Sequence, residues 1–143
     1  MNVIWFKRDL RVWDNEAFTK ACESGPVIPL YIFEPKLWSQ NDLSYRHYQF
    51  LIECLDDLKC DIEKLGQQLI IRSGNALEIF QDINQQFDIS ELWSHQETWN
   101  YWTFKRDSSV RKWTDLNNIK WNEPSQNGVI RALKDRDGWS KNW

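Results

Sequence analysis

The chain has 143 residues, 41% of them hydrophobic and 27% charged, which excludes a disordered polymer and fits one globular domain. A net charge of -3 provides no overall basic surface of the kind that marks a nucleic-acid-binding domain. Three cysteines, Cys22, Cys54 and Cys60, are odd in number and lack C-x-x-C spacing, which argues against a disulfide framework or a zinc site and predicts buried thiols in a reducing compartment.

Taken in order, Val3 to Phe6 is an apolar run that stops at Lys7, Arg8, Asp9 and Arg11, a buried first strand with a charged loop at its carboxyl end. Asp14 or Asn15 then caps a helix with Ala17, Phe18, Ala21 and Cys22 on one face, ending near Ser24-Gly25-Pro26. Val27 to Phe33 is a second strand, apolar enough to be covered on both faces, with Pro29 best tolerated near its start. Residues 34–43 are expected as a rim loop.

Ser44 opens the longest helix. Tyr48, Leu51, Ile52, Leu55, Leu58, Ile62 and Leu65 repeat at helical spacing, and Gly66 is placed to end it. Gln68 to Arg72 is a third strand, Ser73-Gly74-Asn75 a turn, and Leu77, Ile79, Phe80 and Ile83 mark the next helix. Ile89 to Trp93 is a fourth strand with Ser94 to Glu97 as its loop. A helix from about Thr98 to Leu116 carries Trp99, Trp102, Arg106, Val110 and Trp113 on one stripe. Ile119 to Trp121 is a short fifth strand, Asn122 to Asn127 a polar loop, and Gly128 to Lys134 a last helical turn or two, before a charged segment at 135–137 and a tail from Gly138 to Trp143.

Five alternations of strand and helix imply an α/β fold, a doubly wound five-stranded parallel sheet in the order 3-2-1-4-5 with helices on both faces. In such a sheet ligands meet the loops at the strands' carboxyl ends, and the crevice falls between strands one and four, with Lys7 to Arg11 opposite Ser94 to Glu97. No charged leader and no apolar run of membrane length precedes or interrupts these elements, so a cytoplasmic protein is expected, with no membrane and no metal among its partners.

The chemistry of the rim residues has plain readings. Arg8, Asp9 and Arg11 make a local ion-pair cluster on a solvated rim, or else an anion-contacting wall or docking surface. Arg106, an arginine amid tryptophans, needs a carboxylate, which Asp9, Glu34 or Glu97 can supply. His95 stands where a sheet enzyme places catalytic groups, yet no nucleophile elbow accompanies it. Ser73-Gly74-Asn75 is a turn, since neither a dinucleotide fingerprint nor a Walker pattern is present. Ten tryptophans fill a core or stack on planar ligands, and composition does not separate the two uses.

Three motifs together resemble one family. Trp5-Phe6-Lys7-Arg8-Asp9-Leu10-Arg11 followed by Asp14-Asn15 is similar to the opening of the DNA photolyases and cryptochromes. Ser94-His95-Gln96-Glu97-Thr98, with Asn100, Thr103, Phe104, Arg106, Asp107, Val110 and Trp113, resembles that family's fourth-strand loop and helix. Gln126-Asn127-Gly128-Val129 with Arg136-Asp137-Gly138-Trp139 and Trp143 resembles the end of the same domain in bacterial members.

The resemblance implies a Rossmann-like N-terminal domain that holds an antenna chromophore, a folate, a deazaflavin or a flavin. The antenna passes excitation energy to FAD in a following helical domain, for DNA photorepair or blue-light signalling. That FAD domain is absent from these 143 residues. It would be the domain's partner, damaged DNA would be met only through it, and the chain alone is expected to be inactive in repair. By position in the family pattern, Phe33 and Glu34, Leu43 and Arg46, and Gln96 and Glu97 match antenna contacts, while Arg8 and Asp9 match the opening motif. Trp99 stands where similar sequences often carry glycine, and either narrows the pocket or stacks on a planar ring. Two other classes are retained: a nucleotide sensor of the universal-stress type, which needs a glycine-rich loop near the last strand, and an interaction domain whose pocket its own tryptophans fill.

Overall fold

The computed structural model describes residues 1–126 and 128–131. Its elements are β1 (Asn2–Phe6), α1 (Glu16–Glu23), β2 (Val27–Phe33), α2 (Pro35–Trp38), α3 (Tyr45–Lys64), β3 (Ile70–Ser73), α4 (Ala76–Phe87), β4 (Glu91–Trp93), α5 (Tyr101–Leu116) and β5 (Lys120–Asn122). All strand pairs are parallel, in the order β3-β2-β1-β4-β5, as the alternation predicts.

Because successive strand residues face opposite ways, β1 feeds two cores at once. Val3 and Trp5 join Leu30, Phe80, Val110 and Trp113 under α4 and α5. Ile4 and Phe6 join Tyr31, Trp93, Leu55 and Ile62 under α1 and α3. β1 is therefore buried throughout, and the loop that follows it sits at the middle of the rim.

Several boundaries differ from expectation for identifiable reasons. The 34–43 segment contains α2: Pro35 presets the first helical φ, and the Glu34 carbonyl accepts from Leu37 N and Trp38 N. α5 starts at Tyr101, not Thr98, because Asn100 caps it; its side chain accepts from Thr103 N at 3.0 Å while Thr103 Oγ1 accepts from Asn100 N at 3.2 Å. Trp99 is thereby left in the loop. β3, β4 and β5 start one or two residues late: Glu91 and Lys120 start where their partners begin, opposite Asn2 and Glu91, whereas Ile70 starts opposite Leu30 in the middle of β2. Pro29 stands one residue before the β2–β3 ladder starts, so it has a strand partner on one side only.

α3 ends as its sequence predicts. Gly66 takes a φ of +85°, its N–H donates to Glu63 O, and Gln67 N–H donates to Ile62 O, the two bonds of a Schellman cap. Leu51, Leu55, Leu58 and Ile62 are its buried stripe, whereas Tyr48, Ile52 and Leu65 are exposed.

The cysteines correct the expectation of buried thiols. Cys22 and Cys60 are exposed and Cys54 is half-buried. Cys60 lies two residues from both Leu58 and Ile62, which turns it to the far side of α3. Residues 128–131 form no helix, and the rest of the expected 128–134 turn, together with Asn127 and the tail from 132, lies outside the described residues. Among the described residues no helix is long and apolar enough to cross a membrane.

Candidate functional site at the carboxyl ends of the strands

The rim is built on buried charge, not on a solvated cluster. Asp9 is 2% exposed. Its carboxylate accepts from Lys7 N and Asn15 Nδ2 and faces His95 Nδ1 at 2.5 Å. Asn15 in turn caps α1 by accepting from Phe18 N. One side chain thus fastens the β1 loop to α1 and to the β4 loop. Burial works to raise the Asp9 pKa, but the hydrogen bond and charge of His95 outweigh it and leave the carboxyl below its ordinary value. Arg8, by contrast, is exposed, and Arg11 donates to the Asp14 carbonyl.

A second network lies one step deeper. Arg106 donates to Glu34 at 2.7 Å and to Asp107 at 2.9 Å, with Glu97 at 3.7 Å and the Trp5 ring 4.6 Å beneath its guanidinium. Of the three carboxylates expected to meet it, Glu34 and Glu97 do; Asp9 is taken by His95. Burial opposes the charge on Arg106, and Asp107 and Glu34 more than offset it, so its pKa is raised. Glu34 is pushed up by burial despite Arg106. Lys7, whose role the sequence does not suggest, is buried between Asp107 at 3.1 Å and Glu123 at 3.9 Å, over the rings of Trp5 and Trp121. Desolvation lowers its pKa. Glu123 also receives Arg111 and Arg131, and Arg131 donates to the Glu97 carbonyl, which pins the segment after β5 to the rim.

Three cavities open among these groups. A cleft of about 600 Å³ lies over β1 and β2, between the β1 loop, α2 and the first turns of α3. Its walls include Leu10, Tyr31, Leu37, Trp38, Leu43, Phe50 and Trp99, with Arg8, Arg11, Asp42 and His47 as polar groups. A polar cavity of about 210 Å³ lies between the β1 and β4 loops, lined by Asp9, His95, Gln96 and Glu97 among others. A void of about 30 Å³ sits between them, bounded by Glu34, Glu97, Trp99 and Arg106. A larger surface groove, about 770 Å³, runs between α1 and the end of α3. It lies away from the strand ends and its only charged lining residue is Glu23, so the rim cleft is the better ligand site.

Two buried side-chain nitrogens among the described residues form no proper hydrogen bond: Trp38 Nε1 and Arg106 Nη2. Trp38 Nε1 has the Tyr31 hydroxyl oxygen beside it. Arg106 Nη2 stands 2.9 Å from the Asp107 oxygen that Nε already uses. The Tyr31 hydroxyl itself is held protonated far up the pH scale by burial and by the charge of Glu34.

A family model described as DNA photolyase matches residues 2–134. The chain belongs to the DNA photolyase family. It is 31% identical over 139 residues to a chloroplastic/mitochondrial cryptochrome DASH of Solanum lycopersicum, covering 89% of this chain and 22% of the relative. It is 37% identical over 105 residues to the cryptochrome DASH of Oryza sativa subsp. japonica, covering 67% of this chain and 18% of that one. The chain therefore spans about a fifth of the length of these relatives. Among solved structures, a bacterial class III photolyase from Agrobacterium tumefaciens superposes with a TM-score of 0.82 at 26% identity, over 96% of this chain and 28% of that one. An archaeal photolyase from Sulfolobus tokodaii, solved with two FAD molecules, shares the fold at a TM-score of 0.76 and 23% identity, over 99% of this chain and 34% of that one. These neighbours carry the fold as the N-terminal, Rossmann-like domain of a photolyase.

In this photolyase-family domain the residues singled out from the sequence fall into three groups. Arg8, Leu43 and Trp99 line the large cleft together, with the Arg8 guanidinium stacked 4.9 Å over the Trp99 ring. Asp9, Gln96 and Glu97 line the polar cavity next to it, and Glu34 bounds the small void. Phe33 and Arg46 line none of the three. Phe33 is one layer back, stacked on Trp38 at 5.8 Å and 12°, and Arg46 points out from α3 as an exposed residue. His47, Phe50, Leu51 and Cys54 complete the α3 wall. His47, Phe50 and Cys54 follow one another at three- and four-residue steps, a stripe beside the core stripe to which Leu51 belongs.

Proposed function

We propose that this domain holds a planar antenna chromophore, a folate, a deazaflavin or a flavin, in the cleft over β1 and β2. The observation that carries the reading is the cleft itself. At about 600 Å³ it falls within the range of small-molecule sites, and its walls are mainly apolar and aromatic with a few charged and polar groups among them. The residues fit such a group chemically as well, since the buried indole N–H of Trp38 in its wall forms no proper hydrogen bond. Bound there, a chromophore supplies light absorption. The chain's own residues bind it and keep water from its faces, while Arg8, Arg11 and His47 meet polar or anionic substituents.

In a longer parent, a helical FAD domain would receive the excitation energy and would make the contacts with damaged DNA. The 143 residues alone repair no DNA on this reading, and a light-dependent repair assay on the isolated chain is expected to be negative. The nucleotide-sensor alternative is not favoured: the matching family is that of the photolyases, and Gly128 is the only glycine among the described residues after β5. Equilibrium dialysis against each of the three chromophores tests the reading. Retention of at least one at one equivalent supports it, and free passage of all three refutes it.

A further inference from the structure

The groove of about 770 Å³ between α1 and the end of α3 has no part in the chromophore reading. It opens because the two helices bury side chains of different size. α1 lies on the sheet through Ala17 and Ala21, whereas α3 stands on Leu51, Leu55, Leu58 and Ile62. Val27 and Pro29 of β2 form the floor, Phe18 and Cys22 one wall, Ile62 and Leu65 the other. Trp13 and Leu65 stand at its margins, 67% and 61% exposed. Large apolar side chains left this open around a contiguous apolar groove mark a surface that meets another molecule.

The backbone around the groove decides the form of its occupant. The peptide groups of β2 lie in the plane of the sheet, where β1 pairs them from Val27 and β3 from Leu30, and those of α1 and α3 are bonded within the helices. No ladder faces the groove. An extended segment laid on these apolar side chains would leave N–H and C=O groups unpaired on the buried side, while a helix pairs them internally.

Charge decides the occupant's margins. Glu16 and Glu23 stand two turns apart on the outer edge of α1, and Asp57 and Asp61 precede Leu65 at four-residue steps along the facing flank of α3. Lys20 is held by Glu16 and Lys64 by Asp61, while Glu23 and Asp57 form no ion pair among the described residues. Both margins are therefore acidic. A second copy of the chain would set acid against acid, whereas lysines or arginines along both edges of an apolar stripe would neutralise them.

We propose that this groove docks an amphipathic helix of a partner protein, its apolar side chains at i, i+3/i+4 and i+7 seated between α1 and α3 and its basic margins beside Glu23 and Asp57. Trp13, over which the Arg11 guanidinium lies at 5.7 Å, is the anchor at the end nearer the rim. Docking there leaves the chromophore reading untouched, since no residue lines both the groove and the rim cleft.

The test titrates the full 143-residue chain with a fluorescein-labelled synthetic helix that carries leucines on one face and lysines on both margins. Two control peptides replace the lysines by glutamates or the leucines by alanines. Anisotropy reads the affinity, and proton–nitrogen correlation spectra read the place. The lysine-margined helix is expected to bind with shifts centred on Thr19, Cys22, Gly25 and Gly66, and both controls to bind at least about tenfold more weakly. Leu65→Asp and Trp13→Ser, both at exposed positions, should each weaken it by roughly tenfold. Glu23→Lys should weaken it and strengthen the glutamate-margined helix. No binding, equal binding of the alanine control, shifts spread over other acidic surfaces, or variants that bind as the unchanged chain does would each overturn the proposal. Sedimentation equilibrium reads the other occupant: a chain that dimerises, and that Leu65→Asp makes monomeric, fills the groove with its own second copy and the proposal falls. Far-UV circular dichroism confirms that each variant is folded before it is scored.

Discussion

Asp9 shows how much one residue can differ from its appearance in sequence. Within Lys7-Arg8-Asp9-Leu10-Arg11 it reads as part of a solvated ion cluster, because the topology sets its loop opposite Ser94 to Glu97 but nothing in the sequence pairs it with His95, 86 residues away. Burial then changes the energetics: removing the charge from a buried, paired carboxylate costs more than removing a surface ion pair. Asp9→Asn is predicted to destabilise the domain by about 3 kcal/mol near neutral pH. The pH dependence follows from the depressed pKa. A carboxyl lowered in the folded state contributes fully above its unfolded value, about 4, and loses that contribution as pH falls through the folded value. The stability gap between the two proteins, measured by urea unfolding, should close as the pH drops below about 4. A gap that persists undiminished in acid would contradict the pairing.

Arg106 was legible in outline, since an arginine on a tryptophan stripe had to find carboxylates, and Glu34 and Glu97 were two of three candidates. Lys7 was not, because its burial depends on Trp5, Trp121, Asp107 and Glu123 converging from three elements.

Elements were more readable than their ends. Short apolar runs located all five strands and period-3.6 patterns the four longer helices, and Gly66 marked the end of α3 correctly because only a left-handed residue closes that cap. α2 escaped notice since four residues are too few to show a period, and Pro35 in a polar segment suggests a loop as readily as a first turn. The start of α5 was missed by three residues because Thr98 and Asn100 are both plausible caps, and only the reciprocal bonds between Asn100 and Thr103 decide between them. Asn100 also donates to Asp42 at 2.9 Å, tying α5 to the loop before α3 at the mouth of the cleft. Asn100→Ala is therefore predicted to cost about 1 kcal/mol in chemical denaturation and to weaken chromophore binding. A variant as stable as the parent would show that the cap carries no net energy.

At the scale of the whole molecule, the alternation of elements was sufficient for the parallel sheet and its order, because right-handed crossovers leave few other arrangements. The position of the cleft was less predictable. Topology points to the crevice between β1 and β4, where the small polar cavity lies; the larger cleft lies over β1 and β2, walled by α2 and the first turns of α3. The two-sided core supports this rim rigidly. Phe80, fully buried between Trp5 at 5.1 Å and Trp113 at 6.1 Å, is central to one side. Phe80→Ala should cost about 3–5 kcal/mol and lower the thermal midpoint by well over ten degrees; calorimetry showing a small change would mean that the core collapses around the gap.

The claim on which the functional account depends is that the β1–β2 cleft captures a planar chromophore in one orientation. Induced circular dichroism in the chromophore's visible or near-ultraviolet band measures this directly, because a ring free in solution shows far weaker dichroism than one fixed among Trp38, Trp99 and Tyr31. The account predicts that a folate, flavin or deazaflavin develops such a band, that it saturates at one equivalent, and that Leu43→Arg, which places a charge in the cleft wall, abolishes it. Absence of an induced band with all three, or a band indifferent to Leu43→Arg, would contradict it.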